Sequence, residues 1–362
     1  MTLPQHPAAG FHRASSNDNA FTIVYRDAAA LAEVLDDART LAVFRFARGS
    51  AAAQGGDRPD AADLDAARLE DTRLRDARLI DVGLRQHGAA MIEVWRSAGV
   101  VTHGRSGPLA WASDGQLELG RLEIDEPEGE DIAAAAEQAY ALLEQHLAAS
   151  ERPHLLRVWN YLDAVTAGSG DDERYRRFCV GRVRGMARLD EARLPAATCI
   201  GRHDGVRRLQ VYWLAGSMPG RPLENPRQVS AYRYPRQYGP QSPSFARALL
   251  PDPASGLPLL LSGTAAIVGH ASQHGGSVPV QLSETLANLD SLVATARAHD
   301  AALPAVLGAR SPLKVYVRRE EDLPLVEAEL RRQLPDDVPR VILHGEVCRA
   351  ELLVEIEGMH AR

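Results

Sequence analysis

The stretch Gln281-Leu-Ser-Glu-Thr-Leu-Ala-Asn-Leu-Asp-Ser-Leu-Val-Ala-Thr-Ala-Arg-Ala-His299, followed by Leu313-Lys-Val-Tyr-Val317, decides the architecture. Leu282, Leu286, Leu289 and Val293 recur at helical spacing, so the first segment reads as a helix with one apolar stripe. Leu313 to Val317 alternates between two faces and reads as a strand. Upstream, Pro258 to Val268 is an apolar strand broken at Ser262-Gly263, and 269–279 is a Gly/His/Ser loop. Downstream, Glu320 to Leu334 is a second amphipathic helix carrying Leu325, Ala328 and Leu330. Arg340 to Val347 and Glu351 to Met359 are closing strands. The order β–loop–α–β–α–β–β is an α+β unit with a sheet packed under two helices.

The middle third repeats that plan. Asp131 to Ala149 is a helix with Ile132, Ala136, Tyr140, Leu143 and Leu147 on one stripe. His154 to Leu162 is a strand, Glu173 to Arg177 lies on a helix, and Leu209 to Leu214 is a strand. Pro219 to Pro251 holds seven of the 22 prolines and reads as a long ordered loop. Ala89 to Val101 and Leu117 to Ile124 read as strands, as do two short apolar runs, 21–25 and 41–46, around an alanine-rich helix. Residues 49–78 are polar, an exposed loop or a charged helix. The expected division is a disordered tail over 1–20, an N-terminal and middle unit with a divergent extension over 21–250, and a C-terminal unit over 251–362.

Length and composition set limits on function. A chain of 362 residues makes two or three domain-sized units, and 45% apolar with 25% charged residues excludes a disordered or fibrous protein. No apolar run approaches the roughly 18 residues a membrane span needs, and Met1 to Asn19 has no apolar core of a secretory leader. Three scattered cysteines make neither a disulfide framework nor a zinc knuckle, so a cytoplasmic protein is expected. The net charge of -7 argues against a nucleic-acid partner. Of 41 cationic residues only Lys314 is a lysine. A GC-rich genome accounts for the bias, but its consequence is chemical: an anionic ligand would be held by guanidinium forks, which suit carboxylates.

Several residues carry candidate chemistry. In Leu352-Leu-Val-Glu-Ile-Glu357, alternation puts Leu352, Val354 and Ile356 on one face and Leu353, Glu355 and Glu357 on the other. The second face either lines a cleft or presents solvated carboxylates. Arg349 precedes that strand, Arg182 and Arg202 each follow a glycine, and Tyr232 to Tyr238 interleaves Arg233 and Arg236 with three tyrosines, Tyr234 among them. Such residues suit a planar anionic ring, and equally the packing of an ordered loop. Asn160 and Tyr161, at a strand end, are candidate hydrogen-bond donors. His270-Ala-Ser-Gln-His274 sits in a glycine loop without HExxH, and there is no P-loop, GxGxxG or GxSxG. No metal and no cofactor are expected.

Leu261 to Arg362 resembles the YjgF/RidA superfamily, through Leu261-Ser-Gly-Thr-Ala265, the helix from Gln281 and the ending Cys348-Arg-Ala-Glu-Leu-Leu-Val-Glu-Ile-Glu357. The resemblance implies a carboxylate-binding arginine at Arg349 and an acid at Glu355. A longer series resembles the chorismatase family: Arg157-Val-Trp-Asn-Tyr-Leu162, Glu173-Arg-Tyr-Arg-Arg-Phe-Cys-Val-Gly-Arg182, Ala197-Thr-Cys-Ile-Gly-Arg202, 224–240 and Ser262-Gly-Thr-Ala-Ala-Ile-Val-Gly-His270. That family cleaves chorismate to pyruvate and a cyclic acid or hydroxybenzoate. Its hydrolytic subtype carries alanines where the 3-hydroxybenzoate subtype carries a glycine and a cysteine, and Gly263 and Cys348 match the latter.

What the resemblance implies is cofactor-independent cleavage of chorismate to pyruvate and 3-hydroxybenzoate, with some 4-hydroxybenzoate if the chain follows the bifunctional subtype. Glu355 would be the acid. Arg349, Arg182, Arg202, Tyr161, Asn160, Tyr234, Arg236, Gly263 and Cys348 would surround the substrate. Glu357 keeps its reading as a solvated carboxylate, and Cys348 shapes the pocket without acting as a nucleophile. The alternatives are a hydrolytic chorismatase making a dihydroxycyclohexadiene carboxylate, a non-catalytic YjgF-like binder of small carboxylates, and an imine or enamine deaminase. Two units in one chain can supply internally the contact that the superfamily's trimers make between neighbours. A monomer is therefore expected, with a homo-oligomer as the alternative.

Overall fold

A computed structural model describes residues 21–47, 76–129, 131–186 and 190–362. The expected tail over 1–20 and nearly all of the polar stretch 49–78 lie outside them. The chain runs β1 (Thr22–Asp27), α1 (Leu31–Asp36), β2 (Thr40–Ala47), β3 (Leu79–His87), β4 (Met91–Arg96), β5 (Thr102–Ser106), β6 (Leu109–Ser113) and β7 (Leu117–Asp125). It continues through α2 (Ile132–Ala148), β8 (His154–Asp163), α3 (Arg174–Gly185), β9 (Ala196–Arg202), β10 (Arg208–Gly216), β11 (Gly220–Leu223) and β12 (Ala248–Pro251). The last part comprises β13 (Leu259–Ala265), the hairpin β14 (Ile267–Val268) and β15 (Ala271–Ser272), α4 (Val278–Arg297), β16 (Leu313–Val317), α5 (Leu323–Gln333), β17 (Arg340–His344) and β18 (Val354–His360).

These strands make a six-stranded sheet, β5-β6-β7-β10-β8-β9, and a ten-stranded sheet, β1-β4-β2-β3-β17-β16-β18-β13-β12-β11. Read from its β11 edge, the larger sheet begins β11-β12-β13-β18-β16-β17, the same order of meander, last strand and crossover pair as in the smaller one. In each unit the crossover pair is parallel, β8 with β9 and β16 with β17, and a helix joins its members. The internal repeat is therefore a repeat of topology, in the α+β class expected. Each helix pair covers one sheet: Tyr140, Leu143 and Phe178 pack on Val158 and Val211, and Leu282, Leu289 and Val326 pack on Val315 and Ile356.

The extension falls elsewhere than expected. Strands β1 to β4 continue the C-terminal sheet, with β3 antiparallel to β17 from Ile342↔His87 to His344↔Arg85. Without them β17 would present an open edge. Strands on both sides of the expected boundary at 250/251 also share this sheet, since β12 pairs with β13.

The uncovered faces of the two sheets pack on each other through an aromatic core that includes Phe44, Trp95, Trp159, Tyr161, Tyr212 and Tyr316. Inside that core lies a buried charge network. Lys314, 1% exposed, donates to Glu93 at 2.9 Å and stands 3.5 Å from Glu357. Arg157 completes the set on Glu357, and Trp95 donates to Glu93 at 2.7 Å. Two carboxylates and two cations balance. Removing one member strands a charge, which costs about 3–5 kcal/mol. Lys314→Met is expected to lower unfolding stability by that order in urea titrations, and the double variant with Glu93→Gln to recover most of it. A loss in the single variant below about 1 kcal/mol would contradict a charge-balanced interface.

Candidate active site

A pocket of about 320 Å³ lies where β9, the edge of the smaller sheet, meets β13 and β18 of the larger. Its floor depends on a local irregularity. The register of β13 against β18 shifts between Leu261 and Thr264, at the Ser262-Gly263 break. Ser262 donates to the Ala246 carbonyl at 2.6 Å and accepts the Ala197 N–H at 2.9 Å, tying the bulge to β9. Gly263 donates its N–H to the Thr198 hydroxyl at 3.1 Å. A Cβ at Gly263 would stand 2.0 Å from Oε1 of Glu355. The glycine is therefore the space in which that carboxyl sits.

Glu355 is 5% exposed on β18. Burial, and then the charge of Glu357, raise its pKa to about 8 against the pull of Arg157, Arg247 and Arg318. It is mostly a neutral acid at pH 7. Glu357 goes the other way. Although buried, it is held ionised below the usual carboxylate range by Arg157, Lys314 and donated hydrogen bonds from Thr198 and Tyr316.

Four arginines line the same pocket, Arg176, Arg182, Arg247 and Arg349. Arg182, 4% exposed on α3, lies over the Tyr140 ring at 5.0 Å, and its Nε and Nη2 have no protein partner. Arg247 donates to the Tyr234 hydroxyl at 2.6 Å and to the Val229 carbonyl at 3.0 Å, leaving Nε without a partner. Arg349 lies 4.0 Å from the Tyr238 ring and donates to the His270 carbonyl at 2.9 Å and the Ser272 hydroxyl at 3.1 Å. Arg182 and Arg247 thus bring buried N–H groups that no protein atom satisfies to a pocket wall, and guanidinium groups suit carboxylates. The arrangement can clamp carboxylates and deliver a proton between them.

A model of the N-terminal part of FkbO/Hyg5-like chorismatases matches residues 93–215. A chorismatase of Streptomyces rapamycinicus is 35% identical over 277 residues, 74% of this chain and 82% of that protein. A 3-hydroxybenzoate synthase of Streptomyces hygroscopicus is 36% identical over 279 residues, 74% of this chain and 80% of that protein. The chain belongs to the chorismatase family. The crystal structure of a chorismatase, 29% identical, superposes over 95% of this chain and 99% of that one with a TM-score of 0.78. The chain is thus an enzyme of the chorismatase type, and the non-catalytic alternative falls away.

In this family member the pocket gathers Glu355, Arg349, Arg182, Tyr234, Gly263 and Cys348 of the residues singled out from sequence. It does not gather the other four. Arg202, at the far end of β9, donates to Gln210 at 3.0 Å and to the carbonyls of Val206 and Arg208, bracing the β9–β10 turn. Tyr161 points into the aromatic core, 3.0 Å from the Tyr316 hydroxyl. Its neighbour Asn160 accepts from Tyr140 at 2.7 Å and donates to the Thr198 carbonyl at 3.0 Å, holding β9 from below. Arg236 is exposed and forked on Asp171 at 2.9 and 2.5 Å.

Two further readings are corrected. Glu357 is 1% exposed, not solvated. Strand β18 begins at Val354, so alternation does not reach Leu352 and Leu353, and Leu353 packs under the helices with Val354 and Ile356. His270 and His274 have separate partners, Tyr238 and Glu284. Among the described residues no group of three or more His, Cys, Asp or Glu is arranged to hold a metal ion. No helix there is long and apolar enough to cross a membrane.

Sequence reading missed Thr198, Arg247, Cys179 and Cys199, which also line the pocket. Thr198 and Cys199 stood in the quoted Ala197-to-Arg202 motif, where the arginine drew the attention. All three cysteines of the chain converge here, with burial pushing Cys179 and Cys348 up to about 12 and Cys199 well above its usual range. They are a neutral wall, not nucleophiles.

The raised acid has a consequence for stability. Native Glu355 keeps its proton up to about pH 8, whereas the unfolded chain loses it near 4.5. The native state therefore loses stability as pH rises through that window, by roughly 2–5 kcal/mol. Glu355→Gln cannot ionise and is expected to gain stability over wild type between pH 5 and 9. A difference that stays flat across the range would place the carboxyl in its ordinary ionised state.

Proposed function

We propose that the pocket binds chorismate and cleaves it without a cofactor, releasing pyruvate and 3-hydroxybenzoate. The observation that carries this reading is one buried carboxyl, its pKa raised by burial and by Glu357, in a pocket lined by Arg182 and Arg247, which have unpartnered N–H groups, and by Arg349. Chorismate is a dianion, with a ring carboxylate and an enolpyruvyl carboxylate, so it needs two cationic clamps and one acid. Arg182 and Arg247 have unpartnered N–H groups to offer, and Arg349 flanks them. A cavity of about 320 Å³ is at the small end of ligand pockets, which suits a compact acid. The relatives named for chorismate cleavage and 3-hydroxybenzoate synthesis support the same substrate.

Glu355 donates its proton to the methylene carbon of the enol ether. The methylene becomes a methyl, the ether carbon becomes electrophilic, and the bond from the ring C3 to the ether oxygen weakens. The substrate's own C4 hydroxyl attacks C3, pyruvate leaves with the ether oxygen as its keto oxygen, and the hydroxyl proton returns to Glu355. The resulting arene-oxide-like ring opens at C4 and loses the C3 proton, which restores the aromatic ring with the oxygen on C3. No water enters the sum: chorismate equals pyruvate plus 3-hydroxybenzoate.

Gly263 and Cys348 stand at the positions that the family resemblance uses to separate this route from hydrolysis, and both flank Glu355. An alanine methyl at Gly263 would displace the acid, and a shift of about 1 Å can cost two orders of magnitude in one route.

Purified protein incubated with chorismate is expected to release pyruvate and 3-hydroxybenzoate in equal amounts, resolved by chromatography from 4-hydroxybenzoate and the diol. Glu355→Gln should nearly abolish turnover while staying folded; wild-type rates in that variant would remove Glu355 from the mechanism. Gly263→Ala with Cys348→Ala is expected to lower 3-hydroxybenzoate and raise the non-aromatic diol, with pyruvate still released. In ¹⁸O-labelled water the phenol oxygen should stay unlabelled, and substantial label there would mean that water attacks the ring.

A further inference from the structure

The acid does not stand alone on its strand. Glu355 and Glu357 share one face of β18, and a side-chain atom connects the second to the pocket floor. That atom is the Thr198 hydroxyl. It donates its proton to Oε2 of Glu357, and it accepts from Arg157 at 2.6 Å and from the Gly263 N–H at 3.1 Å. A hydroxyl has one proton and two lone pairs, so this one is saturated and has a single orientation. The other Glu357 oxygen accepts from Trp159 at 3.0 Å and Tyr316 at 2.8 Å, with Lys314 at 3.5 Å. Every neighbour of Glu357 donates.

We propose that Glu357 and Thr198 are positioning residues for the proposed reaction: the carboxylate fixed between the sheets makes Glu355 the proton-bearing member of the pair, and the threonine hydroxyl sets the Gly263 backbone against which Glu355 rests. The proposal rests on Glu355 being the acid. The charges that act most on Glu355 are Glu357 on its own strand, Arg157 from β8, Arg247 from the loop before β12 and Arg318 after β16. The thiols of Cys199 and Cys348 and the Tyr175 phenol from α3 interact with it, and Glu173, Arg176, Cys179, Arg182, Arg349 and Glu351 line the same pocket. Burial keeps the thiols and the phenol neutral. Of the charges that act most on Glu355, Glu357 is the one that raises its pKa, opposed by Arg157, Arg247 and Arg318. Remove it, and nothing in that set holds the proton on Glu355 except burial.

Thr198 acts through geometry. It stands on β9 of the smaller sheet and holds the bulge of β13 in the larger one. A methyl in place of its hydroxyl fills the same volume but frees the Gly263 N–H, and the contact that limits Glu355 moves with it.

The test is the pH dependence of kcat and KM with chorismate for the full chain, for Glu357→Gln, Thr198→Val and Thr198→Ser, with Glu355→Gln as control. In wild type, turnover is expected to fall as pH rises through about 8, where Glu355 loses its proton. Loss of the neighbouring anion lowers the acid's pKa, so Glu357→Gln should move that alkaline limb down by about one pH unit, with KM changed less than about threefold. Thr198→Val should cut kcat by about tenfold or more at nearly constant KM, and Thr198→Ser should restore it to within about threefold. A wild-type limb in Glu357→Gln together with wild-type kcat in Thr198→Val would overturn the proposal. If Glu357→Gln leaves Arg157 and Lys314 uncompensated and does not fold, the Thr198 pair decides alone: full kcat in the valine variant, or failure of serine to restore it, overturns the proposal. Wild-type turnover by Glu355→Gln would instead dispose of the functional reading beneath it, whatever the Thr198 variants do.

Discussion

Two carboxylates two residues apart on one strand face, both shut away from water, cannot both be ionised cheaply. Everything else at the site follows from which of them holds the charge. Arg157 and Lys314 reach Glu357 from the core between the sheets, and Glu355 is left at the end of a pocket without a cation of its own at that range. One carboxyl thus becomes a structural anion and the other an acid that is still protonated at neutral pH. The chain's single lysine serves this purpose, buried against the Phe44 ring at 4.4 Å and close to Trp159.

The repeat explains where such a site can form. Two units of the same strand order pack face to face, and their contact surface is filled by aromatic rings and the charge network. At one margin, the β9 edge meets the bulged strand β13, and reciprocal hydrogen bonds between Gly201 and Glu346, both 2.8 Å, close the seam beyond the pocket. The walls come from both units: α3 and β9 from one, β13, β18 and the segment carrying Cys348 and Arg349 from the other. The extension strands β1 to β4 contribute Glu93 to the network but no side chain to the pocket, so their part in function is to seal the sheet and balance its charge.

Periodicity made the two helix-covered sheets legible, because the stripes on 131–149 and 281–299 face apolar strands over many turns. The family motifs pointed to Glu355, Gly263, Cys348, Arg349 and Arg182 and to the substrate class. The failures have physical causes. Glu357 looked solvated because alternation assigns a face but not what covers it, and here the second sheet covers it. Arg202 follows a glycine just as Arg182 does, yet it lies at the wrong end of its strand. Arg247 sits in Ser-Phe-Ala-Arg-Ala-Leu-Leu, a stretch with no pattern to mark a ligand, and reaches the pocket only through the fold of the proline-rich loop. The cysteines, at 179, 199 and 348, converge from three elements that only the tertiary structure brings together.

The central claim is an assignment of charge, and it can be read without turnover. Infrared or carbon-13 spectra of protein labelled at glutamate carboxyls, with Glu355→Gln and Glu357→Gln to assign the bands, follow both groups from pH 5 to 9. The account predicts that Glu355 titrates near 8 while Glu357 stays ionised throughout. A Glu355 already ionised at pH 6, or a Glu357 that carries the shared proton instead, would contradict it.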